Sequence, residues 1–379
     1  MGGSLRIPAA MCGVVGFRVS PGLIPRDDED GKSGPRHNLH GVNGPMGRVV
    51  RDVALFLDAM TTPLKRRTDG WEFDSMSQKD NEVPKILLAN DHYVTTRNFF
   101  ESISIRAKIK ASLLRAKEHP SCSRFVVGFS VLNCPCDPQI ERCCREAAQI
   151  FVRDLRHLNE AKTVSLESRV RFDDKTAWRL FKSLRAEKFR VSFEKLIQDP
   201  ETRYVLKPEV VWNTEVAKRT YLNDLKDSKR FLGEIERLFR DDIDLLFVPA
   251  TSCLSFDVDV RYPNTIAGSR CENYLDWMRI ACVVSSMGCP SIVIPCGTSP
   301  DGRTIGIQIV APPGKDATAI AAASFLEVSL HRELSSVRSI RAGYSVPRTG
   351  TFDLSAGVDG PRTREDAGKH HGLMDWKDF

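Results

Sequence analysis

The first residues of the chain combine a nucleophilic side chain with unhindered backbone amides. Gly2 and Gly3 directly precede Ser4. A serine hydroxyl attacks a carbonyl once a base has accepted its proton, and glycine N–H groups can approach an oxyanion closely because they carry no Cβ. Taken alone, the same tripeptide is more typical of a flexible linker. The tripeptide is therefore compatible with acyl-transfer chemistry or with a linker.

Other side chains that could act as nucleophiles occur later in the sequence. Cys12 and Cys296 each precede a glycine, but no histidine is paired with either in the sequence pattern, so we interpret both as packing residues. Ser285 and Ser286 form a double serine without flanking glycines, and their apolar surroundings predict a core helix. None of these four residues competes with Ser4 as a nucleophile.

Metal chemistry has little support in the sequence. The 11 cysteines include no C-x-x-C pair, so we predict neither a zinc site nor a disulfide framework. His37 and His40 could form a metal or acid–base pair, but their polar surroundings favour ordinary loop residues. Free, mostly buried thiols indicate a reducing compartment, which favours a cytoplasmic location.

The residues around Ser4 resemble the motif of a known enzyme family. The sequence GGSLRIPAAMCGVVGFR, from Gly2 to Arg18, closely resembles the hallmark of the amidase signature family, in which a G-G-S serine is followed by Arg, Pro-Ala-Ala and two spaced glycines. Further segments resemble family blocks in the same order: Gly44–Met60, Lys207–Trp212, Tyr274–Trp277, Gly288–Gly297 and Asp301–Val310. The resemblance extends over residues 1 to roughly 330, with an apparent insertion near 92–122.

The resemblance implies a reaction and a set of roles. It implies hydrolysis of a carboxamide C–N bond in a small-molecule substrate through an acyl-enzyme on Ser4, with neither a metal nor an organic cofactor. The oxyanion donors would be backbone amides of Met1, Gly2, Gly3 and Ser4.

The same resemblance assigns structural roles within the motif. Arg6, Pro8, Gly13 and Gly16 would shape the segment around the nucleophile. In the family, an acidic residue just upstream of the motif holds the arginine. Because this sequence starts at the motif, a solvated Arg6 is the alternative.

The sequence departs from the family pattern at the base. Family members activate the serine through a second serine and a lysine that both precede the G-G-S motif, and this sequence contains neither. Nothing in the spacing of Lys85 or Lys108 makes either a substitute. We therefore expect a family domain that lacks its N-terminal part, and without the relay a loss of about four to six orders of magnitude in rate.

Two other functions remain open at this point. One is a catalytically inactive amidase-like remnant, which the absent lysine and second serine favour. The other is an A-type subunit of an amidotransferase, which acts on a charged tRNA together with partner subunits. The KPEVVW and YLDWM segments fit general amidases better.

The elements that must position these residues alternate between helices and strands. Apolar residues at helical spacing predict a helix over 48–60 and, after an N-capping Asp137 and Pro138, a helix up to about 158. Two further helices are predicted over 174–198 and 208–240. Strands are predicted at 85–89, 124–132, 244–249, 291–295 and 305–310. Alternation of this kind predicts the α/β class, and the resemblance implies an α/β/α arrangement around a mixed β-sheet.

The ends and the charge of the chain complete the prediction. Residues 1–336 are predicted to form the amidase signature domain and 337–379 a disordered tail without periodicity. A basic amphipathic stretch over 105–117 is interpreted as a solvated helix face. The net charge of +6 over 379 residues is dispersed, which does not favour nucleic-acid binding. No run of about 18 apolar residues predicts a membrane span.

Overall fold

A computed structural model of the chain describes residues 2–24, 41–61, 124–158, 163–217 and 221–338. The chain divides into two compact units, Met1–Glu333 and Leu334–Phe379, and of the second only the helical residues 334–338 are described. The predicted boundary between the domain and the tail at 336–337 remains a prediction. Several other sequence predictions lie outside the described residues: Met1, His37, His40, Lys85, Lys108, the strand at 85–89, the basic stretch at 105–117, the insertion near 92–122 and the tail beyond 338.

Nine strands and nine α-helices occur within the described ranges. The strands are β1 (Val15–Arg18), β2 (Met46–Gly47), β3 (Arg124–Phe129), β4 (Thr163–Glu167), β5 (Leu245–Pro249), β6 (Thr265–Ile266), β7 (Ser269–Arg270), β8 (Ser291–Thr298) and β9 (Thr304–Val310). The helices are α1 (Arg6–Cys12), α2 (Val50–Thr61), α3 (Pro138–Leu158), α4 (Asp174–Gln198), α5 (Pro200–Arg203), α6 (Pro208–Ala217), α7 (Tyr221–Arg237), α8 (Arg279–Ser286) and α9 (Asp316–Arg338). A π-helical turn, Leu238–Asp242, follows α7, and a 3-10 turn, Asp276–Met278, precedes α8.

The central sheet is mixed, as predicted. Seven strands are hydrogen-bonded in the order β2-β1-β8-β9-β5-β3-β4, and β6 pairs with β7 in a separate hairpin. The pairs from β2 to β5 are antiparallel, whereas β5, β3 and β4 run parallel. Successive residues of β5 point to opposite faces: Leu245 and Phe247 join one hydrophobic cluster, and Leu246 and Val248 join the other.

Helices cover both faces of this sheet. Residues of α2, α3 and α9 pack in the first cluster, and residues of α4, α7 and α8 pack in the second. A helix has one apolar stripe that must be buried, so two helical layers on one sheet give each stripe a partner. The predicted α/β/α architecture is therefore confirmed.

Local sequence signals position several elements where they were predicted. The carboxylate of Asp137 accepts the N–H of Gln139 at 2.8 Å, and Pro138 is the first residue of α3, as an N-cap followed by proline predicts. The expectation of one helix over 208–240 is wrong. That region contains α6, α7 and the π-helical turn.

The short helix α1 packs unusually close to the sheet. A Cβ added at Gly16 of β1 would overlap the carbonyl oxygen of Leu5 and lie 2.7 Å from the Cβ of Ala9. A Cβ added at Gly306 of β9 would lie 2.8 Å from the Cα of Ala10. Because both contacts involve backbone atoms, only glycine permits α1 to occupy this position.

Replacing Gly16 with alanine is expected to destabilise the domain by at least about 2 kcal/mol, because an overpacked site next to backbone atoms must shift. The measurement is the free energy of unfolding in urea. Gly233→Ala is the matched control. No atom lies within 4 Å of a Cβ at Gly233, and this residue is inside α7, so the change is expected to stabilise by about 0.5–1 kcal/mol. Equal effects of the two substitutions would contradict the close packing of α1.

Candidate active site

The segment from Gly2 to Leu5 forms the turn that begins α1. The carbonyl oxygen of Gly3 accepts the N–H groups of both Arg6 and Ile7 at 2.8 Å. Gly3 has a φ of +96°, and a Cβ there would lie 2.8 Å from the Cβ of Ala281. Both observations require glycine at this position. Ser4 follows on the outside of the turn and is exposed.

The buried side of this turn rests on two helices of the second layer. A Cβ at Gly2 would lie 3.3 Å from the Sγ of Cys282 and 3.4 Å from the Cζ of Phe181, with the Cε of Met278 at 3.7 Å. Phe181 belongs to α4, and Cys282 belongs to α8. The turn is therefore held between the sheet and these two helices, which fixes the direction in which Ser4 points.

The polar groups of the turn have unused hydrogen-bonding capacity. In the part of the chain that the structure describes, no hydrogen bond uses the N–H of Gly3, the N–H of Ser4 or the hydroxyl of Ser4. These donors are therefore able to meet an oxygen atom of a bound molecule.

Arg6 lies inside the protein, so the expectation of a solvated side chain is wrong. Its guanidinium donates to the Oε1 of Gln308 at 2.8 Å, to the carbonyl oxygen of Ala281 at 2.8 Å and to the Oγ of Ser285 at 2.5 Å. All three acceptors are uncharged. Burial, and to a smaller extent the nearby Arg18, lowers the pKa of Arg6 to about 9, which leaves it cationic at neutral pH.

A chain of hydrogen bonds extends this contact across the sheet. The Oγ of Ser291 on β8 donates to the Oε1 of Gln308 at 3.0 Å, and the Nε2 of Gln308 donates to the carbonyl oxygen of Pro249 at 3.0 Å. Arg6 thereby joins α1 to α8, β8, β9 and β5. Buried polar groups that are all satisfied specify one packing arrangement, so Arg6 holds α1 in place through partners that are distant in the sequence.

The remaining motif residues define the two ends of α1. Pro8 lies in the first turn, where a missing N–H costs little. Gly13 ends the helix in the left-handed conformation with a φ of +66°. The Oγ1 of Thr304 donates to the carbonyl oxygens of Ala10 and Met11 at 2.7 and 2.9 Å. The helix is therefore fixed at both ends.

Three of the other nucleophile candidates are packing residues. The fourth, Cys12, is exposed at the end of α1, so its interpretation as a packing residue is wrong. Ser285 and Ser286 are buried in α8, as predicted, and the Oγ of Ser286 donates to the carbonyl oxygen of Ala177 at 2.9 Å. The Sγ of Cys296 lies 3.9 Å from the Sγ of Cys143 and 3.8 Å from the Sγ of Cys144. The hydrogen bond with Cys143 lowers the pKa of Cys296, but the hydrogen bond with Cys144 and burial outweigh it and raise this pKa well above its usual range, which suppresses the thiolate.

A cleft is lined by both helices on which the turn rests, and the sequence did not reveal it. Its volume is about 280 Å³, and its lining includes Trp178 and Lys182 of α4, Ile266 of β6 and Arg279 of α8. Trp178 stacks on Phe181 with a centroid distance of 5.9 Å, and Phe181 contacts Gly2. The cleft and the turn thus share the same two helices. The only sequence signal was an aromatic-rich helix over 174–198.

The fold and the turn define an α/β protein with a Gly-Gly-Ser segment at the start of a buried helix. The sequence model of the Amidase family matches residues 1–320. The chain belongs to this family. Within the described residues, no helix combines the length and the apolar character that crossing a bilayer requires.

Known proteins of similar sequence agree with this assignment. An acylamidase of Rhodococcus erythropolis is 24% identical over 330 residues, which are 86% of this chain and 59% of that protein. The A-type subunit of the glutamyl-tRNA(Gln) amidotransferase of Chlamydia pneumoniae is 36% identical over 113 residues, 27% of this chain and 22% of that one. The crystal structure of a bacterial aryl acylamidase of the amidase signature family superposes with a TM-score of 0.57 at 19% identity, and covers 91% of this chain and 64% of that one. The chain therefore spans about six tenths of the length of the acylamidases it matches.

Proposed function

We propose that the chain is the part of an amide hydrolase that carries the nucleophile, with Ser4 forming the acyl-enzyme. The observation that carries this proposal is the geometry of the turn. Ser4 is exposed, and the neighbouring amides of Gly3 and Ser4 have no acceptor among the described residues. A substrate carbonyl can therefore reach the hydroxyl and the N–H donors together.

The reaction follows the general scheme of serine acyl transfer. The Oγ of Ser4 attacks the amide carbon while a base accepts the hydroxyl proton, and the N–H groups of Gly2, Gly3 and Ser4 stabilise the resulting oxyanion. In the proposal, Met1 contributes its backbone in the same way. The C–N bond then breaks, and the amine or ammonia leaves with the proton. Water hydrolyses the ester, which releases a carboxylic acid and restores the serine.

The scheme needs a proton acceptor for Ser4. Among the described residues, none hydrogen-bonds to the Ser4 hydroxyl. Hydrolysis at the full rate therefore requires a base beyond these contacts, and oxyanion stabilisation alone supports only a residual rate, about 10³–10⁴-fold above water in a comparable serine enzyme. The proposal needs no metal and no organic cofactor.

Covalent labelling of the full chain tests this proposal without requiring turnover of an amide. We expect an alkyl fluorophosphonate to add one mass increment, and peptide mass spectrometry to locate it on Ser4. Heat-unfolded chain is the control, because a preorganised turn is lost on unfolding. An adduct on another serine, or equal labelling of folded and unfolded chain, would overturn the assignment.

Two alternatives predict other results. A catalytically inactive amidase-like protein is favoured because no base among the described residues is bonded to Ser4, and it predicts no adduct. An A-type component of an amidotransferase predicts stable copurification with the other components of that enzyme. The KPEVVW and YLDWM segments fit general amidases better, so we favour the hydrolase with a small-molecule amide as substrate. The cysteines that the structure describes are free thiols, which supports a cytoplasmic location.

A further inference from the structure

The cleft lined by α4 and α8 has an unequal distribution of charge. Three cations line it, namely Lys182, Arg270 and Arg279, together with the carboxylates of Glu272 and Asp276. The Oδ2 of Asp276 already accepts three hydrogen bonds, from the N–H of Glu272 at 2.8 Å and from the backbone and side chain of Asn273 at 3.1 Å. The negative charge of Asp276 is therefore largely compensated by hydrogen bonds within its own loop.

The cations of the cleft differ in how far they are compensated. Arg279 forms an ion pair with Asp174 at 3.5 Å. Lys182 is half-buried and, within the described ranges, forms no ion pair with a carboxylate. Its ammonium lies 5.3 Å from the ring centroid of Trp178, a cation–π contact that holds the side chain in place. An ammonium held in this way is prepared to bind an anion.

The apolar lining and the size limit what this anion can be. Pro135, Trp178 and Ile266 form the apolar part of the lining, and the volume of about 280 Å³ is near the lower limit for small-molecule pockets. One ring with a short substituent fills such a space. A carboxylate is the anion that a planar ring of this size most readily carries, and it pairs well with an ammonium.

We propose that this cleft binds a flat carboxylate, and that Lys182 pairs with the carboxylate while the ring packs against Trp178 and Ile266. The cleft is lined by residues of α4 and α8, the two helices that also contact Gly2 of the turn. Resting on the function proposed above, the inference therefore names the substrate class as an amide whose acyl or amine part bears an aromatic carboxylate.

Binding of ketone probes, which the enzyme cannot hydrolyse, tests the inference. The anionic probe is 4-acetylbenzoate, the neutral probe is 4-methylacetophenone, and the readout is titration calorimetry of the full chain at low salt. We expect the anion to bind about tenfold more tightly than the neutral ketone, and Lys182→Met to remove this preference while the neutral affinity stays unchanged. Lys182→Arg keeps the charge and is expected to keep the preference.

Lys195→Met is the matched control, because Lys195 is an exposed lysine on the same helix outside the cleft. It is expected to change neither affinity by more than about twofold. Equal affinity for the two probes, binding of neither probe, or an unchanged preference in Lys182→Met would overturn the inference. Anion-selective binding without a Ser4 adduct would support the cleft and refute the proposed hydrolysis. A Ser4 adduct without anion-selective binding would support the proposed hydrolysis and refute the proposed binding of a carboxylate in the cleft.

Discussion

Ser4→Ala is expected to abolish the fluorophosphonate adduct and to lower any amide hydrolysis by the chain about 10⁴–10⁶-fold where a base is present. Alanine removes the oxygen that forms the acyl bond and leaves the backbone amides in place. The activity expected to remain is direct attack by water on the amide, which the oxyanion donors still accelerate. The measurements are intact mass after labelling and the rate of amine release from an anilide.

The loss of labelling and activity in Ser4→Ala must be distinguished from a loss of stability. Ser4 is exposed, and its hydroxyl has no partner among the described residues, so Ser4→Ala is expected to alter the free energy of unfolding by no more than about 0.5 kcal/mol. Ser192→Ala is the matched control, because Ser192 is an exposed serine on α4. It is expected to leave the adduct and the rate unchanged.

The result that would refute the role of Ser4 is equally specific. If Ser4→Ala retains the adduct or the rate, another group performs the attack. If Ser4→Ala and Ser192→Ala lose labelling to the same degree, the reagent samples exposed hydroxyls rather than one activated by its surroundings. The first outcome would refute Ser4 as the nucleophile, and the second would favour the inactive amidase-like protein over the hydrolase.

Local sequence predicted those parts of the fold that depend on neighbouring residues. The cap at Asp137 and Pro138 located the start of α3, and two apolar runs around a turn located β8 and β9. The predicted helix over 208–240 failed because an apolar stripe at helical spacing does not show where a helix is interrupted. The edge strand β4 and the alanine-rich α9 were not predicted. A short strand and a helix of small side chains both give a weak hydrophobic periodicity.

The sequence predicted the motif of the candidate site but not the residues that surround this motif in the fold. The glycines and Ser4 are adjacent in sequence, so their type and spacing carried the prediction. Arg6 is different, because Gln308 and Ala281 are 302 and 275 residues away, and no local pattern shows that such partners meet. The cleft was not predicted for the same reason, since its lining comes from α4, the β6–β7 hairpin and the start of α8, which are far apart in the sequence.

Arg6→Ala is expected to lower the free energy of unfolding by about 3–5 kcal/mol, the largest stability effect of the substitutions considered. It deletes a fully buried side chain and removes the guanidinium donor from three buried acceptors. Of these, the carbonyl oxygen of Ala281 retains the hydroxyl of Ser285 as a donor. The Oε1 of Gln308 retains the hydroxyl of Ser291. The Oγ of Ser285 loses the guanidinium donor, which costs about 1–3 kcal/mol, and the loss of charge-assisted hydrogen bonds and the cavity add to this. Urea unfolding followed by circular dichroism measures the change.

Arg48→Ala is the control for loss of a positive charge. The side chain of Arg48 is 77% exposed, and its ion pair with Asp52 measures 3.4 Å, so its removal is expected to cost less than about 0.5 kcal/mol.

Arg6→Lys tests whether charge alone suffices. A single ammonium cannot reproduce the planar fork that reaches three acceptors on α8 and β9, and we expect it to recover less than half of the loss. Full recovery by lysine would show that Arg6 acts as a point charge. A loss as small as that of Arg48→Ala would show that α1 is held by the close glycine contacts without the buried guanidinium.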